Sequence, residues 1–410
     1  MNSKQTQSSF YLILILGLLS AIGPLSIDMY LPAFPEIATG LHSSVAKVML
    51  SLSSFFIGIS IGQLIYGPML ERFGRKRPMY VGLSLYAISA LACALTTNVE
   101  NLIAFRFFQA LGGCVGMVAS RAMVRDLFDV KQNAKVFSTL MLVVAVSPII
   151  APTLGGYITA LFGWRYIFLI LIVVILFILM GIYFILPESK LPDANYSLRP
   201  SSILQNFKTI IQNPQFAMYT FTGAVAYAGL YAYISGSPYV FMVIFKVSER
   251  HYGWIFAFVA AGLIGATQIN NLLLKKYSSE QIIKGALYTQ SLIGLCLALT
   301  SIFGISELYS TIAIVFLFLC CQGFIFPNAS ALSMAPFSHN AGSASALMGF
   351  IQMSVGAFMS AAVSFLQGNS SNCHDWRHGY LFDFCLHFIN FEKQKTNSKN
   401  QSFASRRRRD

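Results

Sequence analysis

Apolar runs of about 20 residues recur along almost the whole chain, with short polar segments between them, and that length fits helices that cross a bilayer. They predict spans over residues 10–31, 46–69, 78–97, 101–122, 136–161, 165–187, 215–241, 252–273, 282–304, 309–330 and 343–367. No stretch alternates with a period of two, which argues against a membrane β-barrel. The expected fold class is an all-α polytopic membrane protein.

The sixth and seventh runs are separated by the longest polar connection, where Pro192, Pro200 and Pro214 are mixed with Asp193, Asn195 and Ser197. The expected organisation is a six-helix bundle over 1–187, a cytoplasmic linker over 188–214 and a second bundle of five helices over 215–372. Repeated halves of this kind are common in secondary transporters.

The pattern fails after residue 372. A twelfth span is due, but Asp375, Arg377, Asp383 and His387 interrupt every run that could cross. An odd number of spans also places Lys393, Lys395, Lys399 and Arg406 to Arg409 away from the other basic loops, against the charge bias of membrane proteins. Read one nucleotide later, the codons available to Cys373 through Glu392 allow an apolar run of about 20 residues, enough for a span. Residues 373–410 are therefore expected to be an aberrant tail produced by a frameshift that destroyed the twelfth helix.

Composition agrees with a lipid setting. Of 410 residues, 56% are hydrophobic and 10% charged, where soluble proteins carry about 25% charged residues. The formal charge of +13 raises the question of nucleic acid, but its distribution answers it. With the N-terminus in the cytoplasm, Lys4, Arg72, Arg75, Lys76, Arg77, Arg121, Arg125, Lys131, Lys135, Lys190, Arg199, Lys208, Lys275, Lys276 and Lys284 fall on the inner side. Only Lys47, Arg165, Lys246 and Arg250 fall outside, as the positive-inside rule requires. The first run reads as an anchor rather than a cleaved signal. Cys93, Cys114, Cys296, Cys320 and Cys321 read as buried small apolar side chains, and neither a disulfide framework nor a metal site is expected. No phosphate-binding Gly-rich motif or catalytic constellation is present, and His42, His251 and His339 are isolated near span ends. The chain is not expected to be an enzyme or to need a cofactor.

Candidate chemistry lies where charge interrupts apolar sequence. Asp28 and Arg106 are ionisable residues inside spans, a placement that marks a path or a coupling site. At 1.5 Å per residue they lie about 5 Å and about 8 Å below the same outer boundary, so a pair across the bundle is possible. Tyr30 follows Asp28 in a Pro-rich turn, and Gln109 shares a helix face with Arg106. The loop after the second span combines Gly67, Glu71, Arg72, Gly74, Arg75, Lys76 and Arg77. Glycines there permit a tight turn and an acid faces several bases. In the fifth span Pro148, Pro152, Gly155 and Gly156 fall along one stripe, kinking the helix and giving another helix room to approach. Tyr227, Tyr231, Tyr233 and Phe241 in the seventh span are candidates to line a hydrophobic cavity.

The Gly67–Lys76 loop resembles the loop signature of the major facilitator superfamily, with Glu71 where that pattern has Asp. The run from Arg106 through Gly113 resembles the family's fourth-helix motif, with Ala110 replacing a glycine. The Pro148–Gly156 segment resembles the antiporter motif of its drug exporters, with Ala151 replacing another. With the phrase from Asp28 to Pro35 and the stretch from Asn328 through Pro336, His339, Ala341, Gly342 and Ser343, the chain resembles the bicyclomycin and chloramphenicol resistance subfamily over residues 5 to 370.

The resemblance implies a two-bundle fold of six plus six helices. It implies a gating role for the loop, proton coupling through Arg106, and export rather than uptake. The expected function is proton-coupled antiport of drug-like amphipathic compounds across the bacterial inner membrane. Its partners would be substrate, protons and lipid, with no nucleic acid, and the chain would work as a monomer. The alternatives are a metabolite uptake carrier and an inactive frameshifted transporter.

Overall fold

The structure, a computed structural model, describes residues 3–128, 130–193, 198–337 and 341–369. The expected tail at 373–410 and His339 lie outside the described residues. In chain order the helices are α1 (Ser3–Asp28), α2 (Phe34–Gly40), α3 (Val45–Phe73), α4 (Lys76–Leu95), α5 (Val99–Leu127), α6 (Val130–Phe162) and α7 (Arg165–Phe184). They continue as α8 (Pro200–Ile211), α9 (Pro214–Pro238), α10 (Glu249–Leu273), α11 (Ser279–Ile302), α12 (Leu308–Met334) and α13 (Ala341–Asn369).

Local chemistry fixes many of these ends. The side chains of Ser44, Asn98 and Asn213 accept from the backbone N–H three residues on, which caps α3, α5 and α9. Ser278 and Gln281 form a reciprocal capping box on α11. At the end of α3 the backbone of Gly74 takes φ +79° and ψ −179°, a region that only glycine enters readily.

Among the described residues, ten helical segments are long and apolar enough to cross a membrane. The exception among the expected spans is 215–241. It is a 25-residue helix ending at Pro238, followed by a π-helical turn over Tyr239–Ile244. Its many Gly, Ser, Thr and Tyr residues lower its hydropathy and give it a polar side toward the protein.

The expected linker contains a helix of its own. Residues 200–211 form α8, a helix begun by Pro200 at its first position. Ile203, Phe207, Ile210 and Ile211 recur at helical spacing. Ile210 joins Phe216, Ala344 and Leu347 in a small apolar cluster, against which Phe207 and Ile211 pack. This stripe fastens α8 to α9 and α13. Cys296 is a further correction: it is exposed, whereas Cys93, Cys114 and Cys321 are buried and Cys320 half-buried.

Close helix contact in the first half rests on small residues of α5. A Cβ on Gly112 would sit 2.6 Å from the Tyr86 backbone nitrogen of α4, and one on Gly116 would sit 2.7 Å from the Leu19 carbonyl of α1.

The first six long helices meet the later ones along two seams. In one, α3 packs on α13: Ser364 donates to the Ala46 carbonyl, Ser53 to Ser360 at 2.7 Å, and Ser60 meets Ser354 at 2.8 Å. The last close contact is Gln63 against Gly349. From Ala46 to Gln63 this is about 26 Å of closed seam at 1.5 Å per residue. In the other, α6 packs on α10. Beyond Gln63, toward Arg75, the halves part around a cavity.

Candidate functional site

Arg106 is fully buried, and sequence alone gave it no cage. Its guanidinium lies over the Phe55 ring at 4.0 Å and the Tyr30 ring at 4.4 Å, so aromatic faces from α3 and the turn after α1 hold the cation. Nη1 donates to Gln109 Oε1 at 2.7 Å and Nη2 to the Ser26 carbonyl at 3.0 Å. Tyr30 is fixed in turn by a 2.7 Å hydrogen bond with Ser51, and Ser26 by one of 2.5 Å with Tyr86. Arg106 Nε and Gln109 Nε2 are buried without a hydrogen-bond partner. The Arg106–Gln109 pairing was legible from their spacing of three.

Asp28 does not meet Arg106. Equal depth brings two helices' residues to one level, but rotation about each helix axis decides which neighbour a side chain meets. Asp28 is the last residue of α1 and only 4% exposed. Among the described residues it forms no ion pair, unlike Lys47–Glu100, Arg75–Glu71, Arg75–Asp126 and Lys190–Glu71, which pair elsewhere. Its charge is felt instead at Tyr233 of α9 and Tyr252 of α10, both in the second half. The Tyr233 hydroxyl is buried and unpartnered, while Tyr252 bonds Ser237 at 2.8 Å. Asp28 therefore sits between the halves, and Arg106 inside the first. Tyr231 packs on Phe56 of α3 with ring centroids 5.2 Å apart, Tyr227 stacks near Phe326 at 4.4 Å, and Phe241 is buried in the main core.

The charged loop forms a network with the inner end of the first half and the start of the linker. Arg75, with 2% of its side chain exposed, donates from Nε to Asp126 at 2.8 Å and from Nη1 to Glu71 at 3.1 Å. Lys190 pairs with Glu71 from the other side, and Arg72 donates to the Asp193 carbonyl. Glu188 accepts from the backbone N–H groups of Arg75 (2.6 Å) and Lys76 (3.0 Å), capping α4. Gly74 leaves room for this segment, since a Cβ there would lie 3.1 Å from the Lys190 carbonyl. Burial works against the charge of Arg75, but its bond to Asp126 and the charge of Glu71 outweigh burial and hold it above the usual guanidinium range. Gly67 has nothing within 4 Å of a notional Cβ and faces the cavity. Asp126→Asn should leave Arg75 half-paired and lower stability by about 1–3 kcal/mol. A melting curve on purified protein reads this directly; an unchanged midpoint would show that the network carries no stability.

In α6, Pro148 and Pro152 lie inside a helix that remains continuous to Phe162. A Cβ on Gly155 would overlap the Met29 carbonyl, and one on Gly156 would overlap that of Glu249 at the start of α10. Gly253 of α10 answers from the far side, where a Cβ would lie 2.7 Å from Thr153 Cα. The stripe thus brings the backbones of three helices together at the closed end.

The cavity at the opposite end has a volume of about 710 Å³. Gln63, Gly67, Glu71 and Arg75 border it from the α3 side, Arg121 and Arg125 from α5, and Ser343, Ser345 and Ala346 from α13. Ile203, Asn206 and Phe207 of α8 stand at its mouth. Sequence reading counted Arg121, at the last turn of a span ending at 122, and Arg125, beyond it, as inner-side charges, whereas α5 runs to Leu127. Their spacing of four was the available signal. Among the described residues no cluster of His, Cys, Asp or Glu is arranged to hold a metal ion.

Comparison with known proteins agrees with this architecture. Residues 8–361 match the family described as Major Facilitator Superfamily. The chain is 34% identical to a bicyclomycin resistance protein homolog of Haemophilus influenzae, over 88% of this chain and 90% of that one. It is 28% identical to multidrug resistance protein D of Escherichia coli, over 87% and 89%. The crystal structure of a D-xylose–proton symporter superposes with a TM-score of 0.72 at 17% identity, covering 93% of this chain and 95% of that one, a likeness of fold. With ten apolar spanning helices, the chain is a multi-pass membrane protein.

Proposed function

Because the chain belongs to the major facilitator superfamily, we propose that it exports drugs or other small amphipathic compounds across the bacterial inner membrane in exchange for protons. Residues 1–187 and 215–372 act as two bundles, 188–214 is the linker between them, and one chain is the working unit. The excess of basic residues in the loops on that side supports a cytoplasmic N-terminus and Arg75 end. The cavity then opens inward, and the seams at Gly155 and Ala46 close the outer side.

One observation carries this reading: Asp28 is buried without an ion pair at the end of α1, where the turn that follows meets α9 and α10 of the second half. Desolvation favours the neutral form of a carboxylic acid, and water favours its anion. In the proposed cycle Asp28 takes up a proton from the outer side when that side opens and gives it up to the cytoplasmic side in the inward-open state, so that one proton enters as the compound leaves. The caged Arg106 anchors α1 to α3 and α5 behind it, so that movement of the second half changes the surroundings of Asp28 and leaves the cage intact. The network around Arg75 keeps the inner ends of α3, α4, α5 and α7 together as one body during that movement. The relatives named for bicyclomycin and multidrug resistance support export as the direction.

Expression in an efflux-deficient bacterium, followed by a susceptibility panel of amphipathic antibiotics, tests the function. Raised resistance to at least one compound, lost in Asp28→Asn, is expected. Greater sensitivity, with accumulation of compound, would point instead to uptake.

A further inference from the structure

The charges at the cavity wall do not balance. Arg121 and Arg125 lie four residues apart on α5 and both border the cavity. Arg121 is about 9 Å inside the end of the helix at 1.5 Å per residue. Its side chain borders the cavity and remains accessible to solvent. Among the described residues neither arginine has an ion-pair partner. Among the described residues the acids bordering this end are already engaged. Glu71 holds Arg75 and Lys190, Asp126 holds Arg75 and Ser189, and Glu188 caps α4.

The facing wall does not supply the missing charge. It is the start of α13, where Gly342, Ser343 and Ser345 border the cavity and Asn206 donates to Ser343 at 3.0 Å. This end of a 29-residue helix carries partial positive charge and outward-pointing N–H groups. Two guanidiniums and a helix N-terminus thus converge on one cavity, an arrangement that favours an anion there.

We propose that Arg121 and Arg125 receive the anionic group of the transported compound, and that the cavity therefore selects amphipathic molecules with a carboxylate or a similar oxyanion. The inference rests on the transport reading. Side chains one helical turn apart can share one oxyanion, each through charge-assisted hydrogen bonds. Ile203, Phe207 and Met334 border the same space and offer apolar contact to the rest of the molecule.

Calorimetric titration of the purified full chain in phosphatidylcholine nanodiscs tests this with two matched probes, naphthalene-1-acetate and its neutral amide. The carboxylate should bind at least ten-fold more tightly than the amide. Arg121→Gln and Arg125→Gln should remove that preference, and Arg121→Lys should keep most of it. Adding phosphatidylglycerol should leave the affinity unchanged, because protein walls the site on both sides. Equal affinity of wild type for the two probes, or no detectable binding of the carboxylate, would overturn the proposal. So would displacement of the probe by phosphatidylglycerol, which would assign the arginines to lipid headgroups. Because binding is read without a proton gradient, failure here is distinct from failure of export: a chain that exports drugs but binds both probes alike would retain its function and lose this selectivity.

Discussion

Gly155→Leu should force the closed side of the molecule open and abolish transport while leaving the chain folded. A Cβ at this position would overlap the Met29 carbonyl and lie 2.8 Å and 2.9 Å from two further Met29 backbone atoms. Backbone cannot rotate aside as a side chain can, so α6 must move away from the end of α1. The same stripe meets α10 through Gly156, and Gly253 answers it, so the displacement spreads along the seam between the halves. Overpacking of a tight contact costs about 1–3 kcal/mol. At about 1.4 kcal/mol per factor of ten, that shifts the balance of two states by roughly 5- to 150-fold. Spin labels at Thr39→Cys and Lys246→Cys, both exposed beyond the closed end, would report the separation. The distance distribution should move outward in Gly155→Leu. It should stay in place in Gly67→Ala, where a Cβ meets nothing within 4 Å. An unchanged distance together with full transport in Gly155→Leu would show that this seam is not the gate.

Asp28→Asn should reduce pH-driven export to background without loss of protein from the membrane. Asparagine has the shape of aspartate, and the carboxylate makes no ion pair for the substitution to break. Exchanging a sealed, neutral acid for a neutral amide of the same shape should leave stability close to wild type. What the variant lacks is the ability to release a proton when water reaches the site. Vesicle uptake under an imposed pH difference separates the two properties: surface expression and melting should match wild type, while gradient-dependent uptake disappears. Asp28→Glu keeps the titrating group and should retain part of the activity. Full gradient-driven transport by Asp28→Asn would move the coupling site elsewhere.

Much of the fold was legible because lipid imposes a length. Runs of about 20 apolar residues are the simplest solution for a chain that must satisfy its backbone inside a bilayer. The helix α8 escaped because it needs no such run: 12 residues between prolines read as a linker, and only the recurrence of Ile203, Phe207, Ile210 and Ile211 signals its buried stripe. The residue types of the candidate site were legible for the same reason of cost, since Asp28 and Arg106 stand out in apolar sequence. Their partners were not. Depth follows from counting residues, but azimuth follows from packing, which turns Arg106 toward Tyr30, Phe55 and Gln109 and leaves Asp28 facing the second half. The glycines of α6 announced close contact but not with which helix. Arg121 and Arg125 were counted as inner-side charges at or beyond the end of a span; the helix continues five residues further and both border the cavity.

The most direct measurement of the central claim is proton and substrate flux in everted membrane vesicles that contain this chain. A lumen one pH unit more acidic supplies about 1.4 kcal/mol per proton, enough for about ten-fold accumulation in a one-for-one exchange. Acidifying the lumen should drive uptake of an exported compound, and adding that compound should make the lumen more alkaline, with both responses absent in Asp28→Asn. Substrate leaving the vesicle along with protons, or equilibrating regardless of the gradient, would contradict proton-coupled export.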